Sequence, residues 1–153
     1  MNSTTKLLQP KHQKDLRKGR YSEVNQIYHI TTTTKNRAPI FSDFSSARKL
    51  ISTIRKSDDL NFTKTLAFVI MPDHMHWLIQ LDNKATLQRI IRSMKSQSAK
   101  VIGMPIWQTG YYDHAIRKDE DMQNIARYII ANPIRAGLVT KVGDYPHWDA
   151  IWL

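Results

Sequence analysis

The chain has 153 residues, no cysteine, and 23 Lys plus Arg against 13 Asp plus Glu, for a formal charge of +10. The lack of cysteine excludes disulfides and thiolate metal sites, leaving His, Asp, Glu, Asn and Gln as metal ligands. No apolar run reaches the roughly 20 residues of a bilayer-spanning helix, and no basic-then-apolar secretory leader opens the chain, so a soluble cytoplasmic protein is expected. The positive excess points to a polyanionic partner, most commonly nucleic acid, with a basic surface kept for solubility as the other reading.

Residues 1–20 read as an irregular basic arm, with Lys6, Lys11, Lys14, Arg17, Lys18 and Arg20 spread over it and no apolar period. Such an arm suits a phosphate backbone and equally a solvated tail. The folded domain is then 21–153. Its first element is QIYHITTTT at 26–34, whose β-branched and aromatic residues predict a strand. After a KNRAP loop, Ser42 or Asp43 caps a helix with Phe44, Ala47, Leu50, Ile51 and Ile54 as its apolar stripe. The segment 65–81 predicts two strands around Met71-Pro72-Asp73, since proline cannot donate to a ladder. The first is almost wholly apolar and belongs in the middle of a sheet. The second runs from about His74 to Leu81.

A second helix begins near Ala85, with Leu87, Ile90, Ile91, Met94 and Val101 facing the core and Lys95 and Lys100 on the wet side. IWQTGYYDHAIR at 106–117 predicts a fourth strand bent at Gly110. Asp119, Glu120 and Asp121 open a last long helix, where the dipole favours acids. Met122, Ile125, Ile129 and Ile130 form its stripe, and Pro133 ends or kinks it near Asn132. The order strand–helix–strand–strand–helix–strand, then an extra helix, predicts an α+β fold: a ferredoxin-like split βαβ with an antiparallel sheet.

His74 and His76 lie two apart on a predicted strand and so project from one face, with Met75 and Trp77 on the other. Two imidazoles held side by side can grip one divalent metal, and they can equally be two partly buried histidines in ordinary hydrogen bonds. Tyr128 and Asn132, four apart on the last helix, share a face at the edge of its stripe. A boundary tyrosine and a helix-ending asparagine are the plain alternatives. Taken together, a metal, a tyrosine hydroxyl and basic helices are what phosphodiester cleavage requires. The chain has no Gly-x-x-x-x-Gly-Lys loop, no serine elbow and no His-Glu-x-x-His, so nucleotide hydrolysis, serine hydrolysis and zinc proteolysis lack support.

YHIT at 28–31, VIMPDHMHWLI at 69–79, IWQTGYYDHAIR at 106–117, ARYIIANPIRAGLV at 126–139 and DYPHW at 144–148 together resemble the REP-associated tyrosine transposases of the HUH class. The resemblance implies that His74 and His76 bind a divalent metal, that Tyr128 is the nucleophile, and that Asn132 is the third ligand. It further implies action on single-stranded DNA beside hairpins, leaving a 5′-phosphotyrosine link and a free 3′-hydroxyl. A His-His-Asn set suits Mn²⁺ or Mg²⁺, and Zn²⁺ fits it too. Insertion-sequence relatives work as dimers with exchanged tyrosine helices, whereas the REP-associated branch is compatible with a monomer, so a monomer or homodimer is expected, located in the cytoplasm at the nucleoid.

Arg17, Arg20, Lys95, Lys100, His114 and Arg117 are candidate DNA contacts, with His114 and Arg117 also readable as braces of the fold. His29 is expected either near the metal or simply packed beside it. Two other functions fit parts of this pattern. One is a non-catalytic nucleic-acid-binding domain on a ferredoxin-like sheet, although His74, His76 and Gln80 occupy the strand face where such modules carry aromatics. The other is a hydrolytic metal phosphodiesterase with no covalent intermediate.

Overall fold

A computed structural model describes residues 26–117 and 120–152. The predicted arm, with Arg17 and Arg20, lies outside the described residues, as does Asp119. Strand β1 (Ile27–Thr33) leads through a short 3₁₀ turn within KNRAP, and a second one, to helix α1 (Phe44–Asp59). Strands β2 (Thr63–Met71) and β3 (His74–Leu81) form the hairpin, and α2 (Leu87–Ile102) leads to β4 (Tyr112–Ala115). Helices α3 (Met122–Ile130) and α4 (Asn132–Arg135) follow, and a short β5 (Trp148–Ala150) closes the sheet.

The sheet order is β4-β1-β3-β2-β5, with every pairing antiparallel. The first four strands have the ferredoxin-like arrangement predicted above, and β3, carrying the two histidines, is the middle strand. One face, with Tyr28, Ile30, Phe68, Ile70, Met75, Trp77 and Ile79, packs against α1 and α2. The other, with Leu66, Val69, Met71 and Leu78, packs under Ile125, Ala126, Ile129 and Ile130 of α3. The period of two along β3 therefore sends Met75 and Trp77 into one core and leaves His74 and His76 on the side of α3. No helix among the described residues is long and apolar enough to cross a membrane.

Several expectations require correction. Phe44 and Val101, predicted to face the core, are 61% and 53% exposed. They stand in the first and last turns of their helices, beyond the reach of the sheet. The fourth strand is only four residues long: Gly110 takes a left-handed φ of 84°, and before it Trp107 makes a single bridge to Thr34. The acids do not enter the first turn of α3. Asp121 is its N-cap, accepting from the amides of Gln123 and Asn124, while Glu120 turns back to His114. Strand β5, which the sequence reading did not include, lies along the far edge of β2.

Candidate active site

The site is built on the turn between β2 and β3. Thr34 clamps it: its amide donates to the Asp73 carbonyl at 2.9 Å and its hydroxyl to the same oxygen at 3.1 Å. Phe41 N–H donates to the Pro72 carbonyl at 2.9 Å. In the loop between them, Asn36 and Arg37 adopt φ of 58° and 55°, a left-handed conformation that costs a non-glycine residue about 1–3 kcal/mol. That bend brings Arg37 Nε to 3.1 Å from Asp73 Oδ2. The other carboxylate oxygen, Oδ1, lies 2.7 Å from His74 Nδ1. An ionised carboxylate can only accept, so His74 carries its proton on Nδ1 and its lone pair on Nε2.

His76 is buried, only 7% exposed. Its Nδ1 lies 3.0 Å from His29 Nε2 and 3.1 Å from the Thr31 hydroxyl. The His74 and His76 rings are edge to face with centroids 5.1 Å apart. Neither Nε2 has a hydrogen-bond partner among the described residues. Burial holds His74 below its ordinary pKa, against the pull of Asp73. Burial also pushes His76 well down, helped by His29, His74 and Arg135. His29 falls to about 4 through burial and the neighbouring His114. Neutral imidazoles are the form in which histidine binds metal.

Tyr128 sits half-buried on α3, the helix that covers the histidine face. The Arg135 guanidinium lies over its ring, 3.7 Å from the centroid, and Arg135 Nη2 donates to the Tyr128 carbonyl at 2.8 Å. The charge of the same arginine contributes to the lowering of the His76 pKa. Asn132 Nδ2 donates to the Ile129 carbonyl at 2.9 Å, which leaves its Oδ1 as the acceptor atom. No cluster of three or more His, Cys, Asp or Glu side chains suited to a metal occurs among the described residues. The two imidazoles, with ring centroids 5.1 Å apart, are donors whose chemistry fits a divalent cation with open positions.

Of the other candidates, Lys100 and Arg117 are exposed. Lys95 is not a wet-face lysine: its ammonium donates to the Gln108 carbonyl at 3.0 Å and to that of Gly110, holding the loop before β4. His114 Nε2 donates to the Glu120 carboxylate at 3.0 Å, which is the bracing role. Asp73, Arg37 and Arg135 were missed by sequence reasoning. Asp73 had a usable signal, since an acid beside a strand histidine can orient it. Arg37 and Arg135 reach the site only through folding.

Residues 22–132 match the family described as Transposase IS200 like. A REP-associated tyrosine transposase of Haemophilus influenzae is 34% identical over 100 residues, which cover 55% of this chain and 57% of that protein. The REP-associated tyrosine transposase of Escherichia coli K12 is 34% identical over 82 residues, 52% of this chain and 50% of that one. The chain thus spans about half the length of the curated relatives it matches. A solved REP-associated tyrosine transposase, bound to a REP hairpin, shares the fold with a TM-score of 0.74 and 27% identity, over 84% of this chain and 79% of that chain. The family match runs from before β1 to Asn132 and takes in both histidines and Tyr128; the chain belongs to the IS200-like transposase family.

Proposed function

We propose that this protein nicks and rejoins single-stranded DNA beside hairpin elements, with Tyr128 as nucleophile and a divalent cation held by His74, His76 and Asn132. The observation that carries the reading is the paired histidines on β3. Each has Nδ1 engaged by a neighbouring side chain, and each has Nε2 without a partner among the described residues. The cation, when bound, polarises the scissile phosphate and offsets its developing charge.

Tyr128 supplies the attacking oxygen. Its Oη–P bond forms as the P–O3′ bond breaks, the phenol proton is lost, and the departing 3′-oxygen takes up a proton. The products are a 5′-phosphotyrosine and a free 3′-hydroxyl, and reversal on another 3′-end rejoins the strand. Arg135, stacked on the ring and bonded to the Tyr128 backbone, holds the nucleophile in place. Lys100, Arg117 and the basic segment containing Arg17 and Arg20 supply positive charge for the phosphate backbone. The solved REP-hairpin complex of a relative supports hairpin DNA as the substrate class.

The test is incubation with labelled single-stranded hairpin DNA and Mn²⁺, followed by denaturing electrophoresis. A protein–DNA adduct that needs Mn²⁺ and is absent with a chelator is expected. Cleavage with no adduct would favour a hydrolytic phosphodiesterase, and binding with no cleavage a non-catalytic module.

A further inference from the structure

Resting on the metal reading above, we propose that His29 is a positioning residue for that centre. Its Nε2 accepts the proton on His76 Nδ1 and so fixes the tautomer in which His76 presents Nε2 to the cation. The two ring nitrogens are 3.0 Å apart, and both residues are only 7% exposed, so bulk water does not compete for the bond. A neutral imidazole carries one N–H. With that hydrogen on Nδ1, His76 Nε2 keeps its lone pair and can ligate; with it on Nε2, ligation is blocked.

His74 has this choice made by the Asp73 carboxylate. His76 has no carboxylate bonded to it among the described residues. Its Nδ1 meets an imidazole nitrogen and the Thr31 hydroxyl at 3.1 Å. Thr31 can donate or accept, so it does not decide the tautomer. His29 decides it in the Nδ1–H form that the proposal assigns to it: its Nε2 then carries only a lone pair, a stronger acceptor than a hydroxyl oxygen. The β1–β3 register supplies the geometry: Thr31 stands opposite His76, and His29 opposite Leu78, which places His29 on the diagonal of the same face. On the other side, His29 stands opposite His114 of β4, whose Nε2 is committed to Glu120. His29 therefore stands in for the outer carboxylate that metal-bound histidines commonly use.

The decisive measurement is the ¹⁵N NMR tautomer of His76 in the metal-free wild-type protein, paired with Mn²⁺ affinity by calorimetry for wild type, His29→Gln and His29→Leu. Wild-type His76 is expected as the Nδ1–H form. His29→Leu should erode that preference and weaken Mn²⁺ binding by about 10- to 100-fold, while His29→Gln, which keeps an acceptor oxygen, should retain most of it. An Nε2–H tautomer in the wild type overturns the proposal without needing any variant to fold. Mn²⁺ affinity within twofold of wild type in a folded His29→Leu protein overturns it as well. A wild-type protein with the Nδ1–H tautomer and no Mn²⁺ binding would instead overturn the metal reading and leave the role of His29 in setting the tautomer intact.

Discussion

The guanidinium of Arg135 lies 3.7 Å from the centre of the Tyr128 ring and donates to that residue's own carbonyl at 2.8 Å. One side chain from α4 thus fixes both the ring and the backbone of the proposed nucleophile, across the break that Pro133 makes between α3 and α4. Planar stacking and a directed N–H bond are properties of arginine that lysine does not reproduce. Arg135→Lys is expected to slow adduct formation by roughly 10-fold and Arg135→Ala by roughly 100-fold, as misplacement of a reacting group does. Mn²⁺ affinity should hold in both, because Arg135 is not a ligand. Single-turnover rates beside calorimetric titrations check this, and a parallel fall in metal affinity would show that Arg135 only supports the fold.

His76→Ala should abolish cleavage and, because His76 is buried against His29 and Thr31, should also destabilise the protein. Removing a buried hydrogen-bonded group that leaves its partners unpaired costs about 1–3 kcal/mol. Thermal melts of the metal-free protein measure that part separately from activity. An unchanged melting temperature would contradict the buried network, and undiminished cleavage would contradict the ligand assignment.

Stability should fall in alkali through Tyr145. Its hydroxyl donates to the Ile70 carbonyl at 2.6 Å, and burial pushes the phenol from its ordinary 10.0 up to about 12. Between those two values the unfolded chain loses the proton and the folded chain keeps it. Stability supplied by this group is therefore present below pH 10.0 and is lost as pH rises toward about 12. Tyr145→Phe should lower stability by about 1 kcal/mol at neutral pH and flatten the decline over that window, as read from denaturant melts against pH. A wild-type protein whose decline there matches that of Tyr145→Phe would contradict the raised phenol.

DNA binding should be strongly salt-dependent. If about four phosphates are neutralised by the basic surface, the log–log slope of affinity against salt is near −3 to −4. Fluorescence anisotropy with single-stranded hairpin DNA and with a blunt duplex measures it. A flat salt response removes the role given to the positive charge, and equal affinity for the duplex removes the proposed substrate class.

The elements that position the site were legible because they obey local rules. The period of two put His74 and His76 on one face of β3 and Met75 and Trp77 on the other, and Asp43, one of the two caps expected for α1, is its N-cap. What escaped depended on pairing between distant segments. The three residues of β5 have no period of their own and are a strand only because the edge of β2 is open to them. The diagonal between His29 and His76 follows from the β1–β3 register, which alternation alone does not give. Lys95 sits at the margin of the α2 stripe, and its carbonyl partners appear only once the loop before β4 folds over it.

The nucleophile is tested most directly by mass spectrometry of the peptide linked to labelled hairpin DNA, in wild type and in Tyr128→Phe, Tyr111→Phe and Tyr112→Phe. The phosphotyrosine is expected on Tyr128, with no adduct in Tyr128→Phe despite retained fold, Mn²⁺ binding and DNA binding. Tyr111→Phe and Tyr112→Phe should still form it. An adduct that survives in Tyr128→Phe, or a phosphotyrosine mapped to Tyr111 or Tyr112, would contradict the assignment.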